Sequence, residues 1–180
     1  GRLSPLRCSE GTVSLPAQQP AQGPAQLPTE VSLEIQGGGE DCLRAEGQCT
    51  IDLDLGGRNL TLTGCARCIQ AGGNADVRLT NAGLISCTAS EDGILAQGTA
   101  SVSLAATSLS IAGGEHGVHA SGNAEVVLAA PTCRITGDEG PERIDGNATI
   151  DSCATQVLVP PDGRLSPLRC SEGTVSLPAQ

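Results

Sequence analysis

The residues able to do chemistry in this 180-residue chain are two histidines, nine cysteines, ten arginines and a recurring set of carboxylates. His116 and His119 are three positions apart. Alternation with Val118 and Ala120 places His119 on the outside of a strand, and two imidazoles without a third ligand make a poor metal site. The pair therefore reads as surface imidazoles. Cys65-Ala-Arg-Cys68 has the spacing of a redox or zinc motif, yet the chain has no second CxxC and no thioredoxin-like pattern around it. Structural disulfides are the better reading. Glu40, Glu91, Glu115 and Glu139 each stand seven residues before a recurring glycine, with Asp41, Asp92 and Asp138 beside three of them and Ala66 interrupting the series. Stacked at one corner, Glu91, Glu115 and Glu139 would lie about 5 Å apart. Such a column could recruit Ca²⁺, which takes several carboxylate oxygens at about 2.3–2.6 Å. A solvated acidic corner that resists edge aggregation is the favoured reading, so no cofactor is expected.

Composition limits what can position these groups. Phe, Tyr, Trp and Met are absent and every basic residue is Arg. Aromatics bury the most apolar area per residue, so a core without them must be thin enough for Ala, Val, Ile and Leu to fill. A narrow solenoid meets that condition better than a two-layer fold. The formal net charge of −10 argues against nucleic acid, which needs a basic face. No apolar run approaches the ~18 residues of a membrane span, and no signal peptide is present, as expected for a segment of something longer.

The chain repeats at two scales. Residues 1–18, GRLSPLRCSEGTVSLPAQ, recur letter for letter at 163–180, giving a period of 162 residues. A tandem array explains this better than a duplicated cloning end. The odd cysteine count follows, because Cys170 copies Cys8. Each period then holds eight: Cys8, Cys42, Cys49, Cys65, Cys68, Cys87, Cys133 and Cys153. Eight can close as four disulfides, which points to an oxidising, extracellular setting. Sequons at Asn59 and Asn147 are compatible with secretion and glycosylation.

Within the period, GQCTIDL, GNADVRL, GTASVSL, GNAEVVL and GNATIDS begin at Gly47, Gly73, Gly98, Gly122 and Gly146, steps of 26, 25, 24 and 24 residues. Gly11 would head the series after a 36-residue step containing PAQQPAQGPAQLP. Counting from each glycine puts Val13 with Cys49 and Ala75, and Ile51 with Val77, Val102, Val126 and Ile150. The positions alternate strictly, so one strand face points inward. A second strand carries Leu60/Leu62, Ile85/Cys87, Leu109/Ile111, Cys133/Ile135 and Val157/Val159. A third carries Leu43/Ala45, Ile69/Ala71, Ile94/Ala96 and Val118/Ala120, with Glu142/Ile144 breaking the pattern. Three inward strands per ~25 residues predict an all-β, right-handed parallel β-helix of about six coils per period.

On the G-x-A-x-V-x-L rungs and the G-[IV]-x-A that closes them, residues 31–152 resemble the pectin-lyase-like β-helix superfamily in the broad sense. The resemblance implies the architecture, and the superfamily includes polysaccharide lyases, adhesins and structural repeats. Its carbohydrate-cleaving members place acidic calcium ligands and a basic residue on one strand face. Here the outward pairs Asp76/Arg78, Ser101/Ser103, Glu125/Val127 and Thr149/Asp151 show no such cluster, and no aromatic platform could stack a sugar. Only Thr61-Leu-Thr63 offers the Thr-x-Thr spacing of an ice-binding face.

The expectation is a non-enzymatic, structural extracellular or cell-surface protein. Residues 1–162 form one period, with a Pro/Gln-rich lateral loop at 16–28 and regular coils at 29–159; residues 163–180 start the next. Six coils at ~4.8 Å give an axial rise of about 29 Å per period. The partners would be further copies of the chain, then glycans or other surface proteins. The alternatives are a carbohydrate-binding or carbohydrate-processing β-helix and an adhesin stalk. For the disulfides, Cys42 and Cys68 lie five residues before Gly47 and Gly73, so the register predicts a Cys42–Cys68 staple. Cys65–Cys68 is the competing local pair, and Cys8 (as Cys170) with Cys153 a further one.

Overall fold

The three predicted strands per turn are present, stacked as parallel ladders, in a computed structural model that describes residues 2–14, 32–151, 153, 155–158 and 174–175. All sheet pairings are parallel, and no helix occurs among the described residues. The architecture is a β-solenoid of five complete coils. The first coil holds Ser32–Gln36, Leu43–Ala45 and Thr50–Asp54. The second holds Asn59–Cys65, Ile69–Ala71 and the first half of Asp76–Ala89. The rest of that strand opens the third coil, which continues through Ile94–Ala96 into Ser101–Gly113. The fourth takes the end of that strand, His116–Gly122 and Glu125–Ala129. The fifth has Thr132–Gly137, Gly140–Gly146 and Thr149–Asp151. Arg2–Leu3, Leu6–Cys8 and Thr12–Ser14 precede these coils, and Thr155–Leu158 follows them.

The columns are the core. Ile51, Val77, Val102 and Val126 are Cα partners in succession and are fully buried. Leu60, Ile85, Leu109 and Cys133 form the second column, and Leu43, Ile69, Ile94 and Val118 the third. The third face ends each rung on alanine (Ala45, Ala71, Ala96, Ala120), the side chain a tight corner can hold. The lining is therefore filled without any ring. Where Glu142 replaces an apolar anchor, the column ends and Ile144 is 41% exposed.

The recurring glycine is required by its backbone. Gly47, Gly73, Gly98, Gly122 and Gly146 all have positive φ, between +69° and +76°. A Cβ at Gly122 would lie 2.9 Å from the carbonyl oxygen of Gly98, the glycine one coil earlier. Only glycine combines that conformation with that approach. The next residue then donates its N–H to the earlier glycine's carbonyl: Asn74 to Gly47, Thr99 to Gly73, Asn123 to Gly98 and Asn147 to Gly122, at 2.7–2.8 Å. Asn147 Nδ2 also reaches Asn123 Oδ1 at 3.4 Å, and the Thr99 hydroxyl contacts Asn74 Oδ1.

Two register expectations are corrected at the ends of the solenoid. Val13 pairs with Ile51, not Cys49, so Gly11 stands two residues out of the glycine column. The 36-residue step broke the count there. Cys133 and Ile135 have Gln156 and Leu158 as Cα partners, not Val157 and Val159. Within the coils expected from residue 29, the strand Ser32–Gln36, whose residues the glycine count assigns to no column, supplies Leu33 and Ile35 to the second one. The loop at 16–28 and the whole of Cys170 fall outside the described residues.

The predicted Cys42–Cys68 bond does not form. The pairs are Cys8–Cys49, Cys42–Cys65, Cys68–Cys87 and Cys133–Cys153, with Cα separations of 5.5–5.9 Å. The competing Cys65–Cys68 pairing is excluded with it, and Cys153, offered as a partner for Cys170, is bonded to Cys133. In-register residues on parallel coils project their Cβ atoms side by side, about 4.8 Å apart, which exceeds the ~3.8 Å a disulfide prefers. A cysteine on the adjoining strand across the corner instead points toward its partner. The expectation that the eight cysteines close as four structural disulfides holds. Cys8–Cys49 ties the leading strands to the first coil, Cys42–Cys65 joins the first to the second, and Cys68–Cys87 the second to the third. Cys133–Cys153 closes the fifth coil. Among the described residues, no disulfide crosses from the third coil to the fourth or from the fourth to the fifth.

Candidate functional site

The third face carries a polar column at its leading corner. Asp41, Arg67, Asp92 and His116 stand two residues ahead of the stacked anchors Leu43, Ile69, Ile94 and Val118. Their parity is that of inward residues, but the corner turns their side chains along the flank of the coil. Asp41 is buried and receives Arg67 Nε at 2.8 Å and Nη2 at 3.4 Å. A buried carboxylate needs such a partner, since an unpaired one would neutralise or open the fold.

Two coils further on, the arginine is replaced by two histidines. Asp92 and His116 are each only 6% exposed. Asp92 Oδ1 lies 3.0 Å from His116 Nδ1 and also accepts the His116 backbone N–H at 3.2 Å. Asp92 Oδ2 lies 3.0 Å from His119 Nδ1. The far nitrogen of His119 meets Asp145 Oδ2 at 3.0 Å, and Arg143 Nε donates to the same oxygen at 2.8 Å. The hydrogen bond from His119, joined by the Arg143 guanidinium, holds the Asp145 carboxyl below the usual carboxylate range. His116 Nε2 faces Glu139 Oε2 at 3.7 Å.

Both rings lie on one side of the strand, with centroids 5.5 Å apart. Simple alternation would separate residues three apart. Gly117 stands between them in close contact with the core, where a Cβ would lie 2.4 Å from Ile135 Cγ2. The expectation of surface imidazoles is therefore corrected. His116 is buried, His119 is mostly covered, and the third ligand-bearing side chain missing from the local sequence is Asp92, one coil earlier. The signal that could have found it is the run of polar residues two ahead of each apolar anchor.

The glutamate column is stacked as expected. Ala66 N–H donates to Glu40 O, Glu91 N–H to Ala66 O, Glu115 N–H to Glu91 O, and Glu139 N–H to Glu115 O, at 2.8–3.0 Å. Its carboxylates turn to different partners, however. Glu91 leans toward Arg67 Nε at 3.6 Å and Glu139 toward His116. The proposed calcium ligands Glu91, Glu115 and Glu139 thus share a backbone column without converging on a common point. The ligand atoms that do converge are those of Asp92, His116 and His119, all within 4.8 Å of one another.

Set against known protein families, curated proteins and solved structures, the chain matches none. Its chemistry is thus argued from its own residues. CxxC redox chemistry is removed, because Cys65 and Cys68 are each bonded to a different partner and both are buried. Four disulfides are consistent with an oxidising environment. The outward first-face residues remain dispersed; Arg78 contacts Asp76 within its own strand. Of the two sequons, Asn147 is exposed, whereas Asn59 Oδ1 accepts the backbone N–H of Leu84 at 2.9 Å and so belongs to the wall.

Proposed function

We propose that this chain is a structural module of an extracellular or cell-surface rod, a disulfide-stapled β-solenoid extended by further copies of its own 162-residue period. The observation that carries this reading is the letter-for-letter return of residues 1–18 at 163–180. Thr174–Val175, from the second copy of the 18-residue segment, pairs in parallel with Thr155 and Gln156. The second copy thus adds backbone to the last strand of the first period. The first copy of the same residues, Thr12–Ser14, lies instead against a following coil, at Thr50–Asp52. On this reading, a further period would offer the second copy the same seat.

Stacked coils without a polar cap leave strand edges that recruit another chain end. In a solenoid, stability then accumulates from neighbour to neighbour. The acidic, lysine-free surface and the exposed Asn147 are compatible with glycans or other surface proteins as lateral partners. A role without catalysis accounts for the dispersed outward polar residues.

The test is electron microscopy of proteins carrying one and two periods. A continuous rod lengthens by about 29 Å per period, from six coils at ~4.8 Å. Two separate beads joined by a thin link, or an unchanged axial length, would contradict the proposal.

A further inference from the structure

We propose that Asp92, His116 and His119 bind one divalent transition-metal ion, with Zn²⁺ the type ion, as a cross-link between the third and fourth coils. Two independent observations meet here. The first is the ligand geometry. Two imidazole nitrogens and one carboxylate suit a borderline ion better than Ca²⁺ or Mg²⁺, which prefer all-oxygen shells. Ligand atoms around tetrahedral Zn²⁺ stand about 3.3 Å apart, given bonds of about 2.0–2.1 Å. Here the Nδ1 atoms of both rings lie 3.0 Å from oxygens of Asp92, and the three ligand atoms span no more than 4.8 Å. Small side-chain rotations therefore close the shell, and the part-exposed edge of His119 leaves a fourth position for water.

The outer partners are those a metal-bound histidine requires. With Nδ1 on the ion, each ring presents Nε2–H to a carboxylate of the fifth coil: His119 to Asp145 at 3.0 Å and His116 to Glu139 at 3.7 Å. Such carboxylate–histidine–metal relays fix the ring and raise its basicity. Both nitrogens of His119 face carboxylate oxygens, Asp92 and Asp145, at 3.0 Å each. Asp92, Asp145 and Glu139 outnumber the single Arg143, which leaves negative charge for the ion to offset.

The second observation is position. Disulfides join the coils up to the third, and another closes the fifth. The Asp92–His116–His119 group, with Asp145 and Glu139 behind it, spans the two coil steps that no disulfide crosses among the described residues. In the column where Cys42 and Cys68 serve the first two coils, the third and fourth have Gly93 and Gly117. Next to that column, coordination replaces the covalent staple.

The test uses the intact oxidised chain, stripped with chelator and titrated with ZnCl₂ by calorimetry, with Co²⁺ absorption reporting the coordination. One equivalent should bind and raise the melting temperature. His119→Gln, at the part-exposed ring, should keep the fold by circular dichroism and lose that response, as should His116→Gln. Glu91→Gln/Glu115→Gln should leave it intact. Two results would overturn the site. One is no saturable Zn²⁺ binding by the native chain, which makes the cluster a hydrogen-bonded latch only. The other is Zn²⁺ binding that survives in the two histidine variants.

Discussion

Reduced by excess thiol without denaturant, the protein is expected to lose most of its stability. The four disulfides close loops with sequence separations of 41, 23, 19 and 20 residues. Chain-entropy arguments assign each about 3–4 kcal/mol. Together that exceeds about 10 kcal/mol, against the 5–15 kcal/mol typical of a whole domain. The effect is sharpened here because a solenoid coil contacts only its neighbours, so staples between neighbours hold the register as well as restrain the unfolded chain. The paired variant Cys68→Ala/Cys87→Ala isolates one bond. It should melt about 6–12 °C lower, taking ~3 kcal/mol and 2–4 °C per kcal/mol. Thermal unfolding by circular dichroism reads both experiments, and a reduced protein that melts within a degree or two of the oxidised one would refute the staple account.

Val102→Asp is expected to be nearly as severe. Val102 is fully buried between Val77 and Val126 on neighbouring coils. An aspartate there would place a carboxylate in a column with no polar partner, at a loss of about 4 kcal/mol, or roughly 8–16 °C in melting temperature. Ser103→Asp, one residue on, faces outward beside Arg78 and should be close to neutral. Equal melting temperatures for the two variants would mean that the inward and outward faces are wrongly assigned.

How much of this was legible beforehand follows from which features repeat. A stacked coil forces the same residue type onto the same place every turn, so the Val/Ile, Leu and Ala columns and the glycine corner could be read by counting. Counting failed where the turn length changed. The step from Gly11 to Gly47 misplaced Val13 by two residues and hid the strand bearing Leu33 and Ile35. It failed again where direction mattered more than position. Cys42 and Cys68 do share a column, but a shared column sets their Cβ atoms parallel, and the disulfides run to the adjoining strands. The histidines were misjudged because their partner was out of view: alternation addressed His119 alone, and Asp92 is a neighbour of both rings only after a full turn of chain.

The central claim, that successive coils stack in this register and are stapled to their neighbours, is tested most directly by disulfide mapping of the denatured, unreduced protein. Cleavage by trypsin after Arg44, Arg58, Arg67, Arg78 and Arg134 and by a glutamyl endopeptidase after Glu40 and Glu115 separates all eight cysteines of the period. The structure predicts linked peptides for Cys8–Cys49, Cys42–Cys65, Cys68–Cys87 and Cys133–Cys153. A peptide joining Cys42 to Cys68, or Cys65 to Cys68, would contradict it.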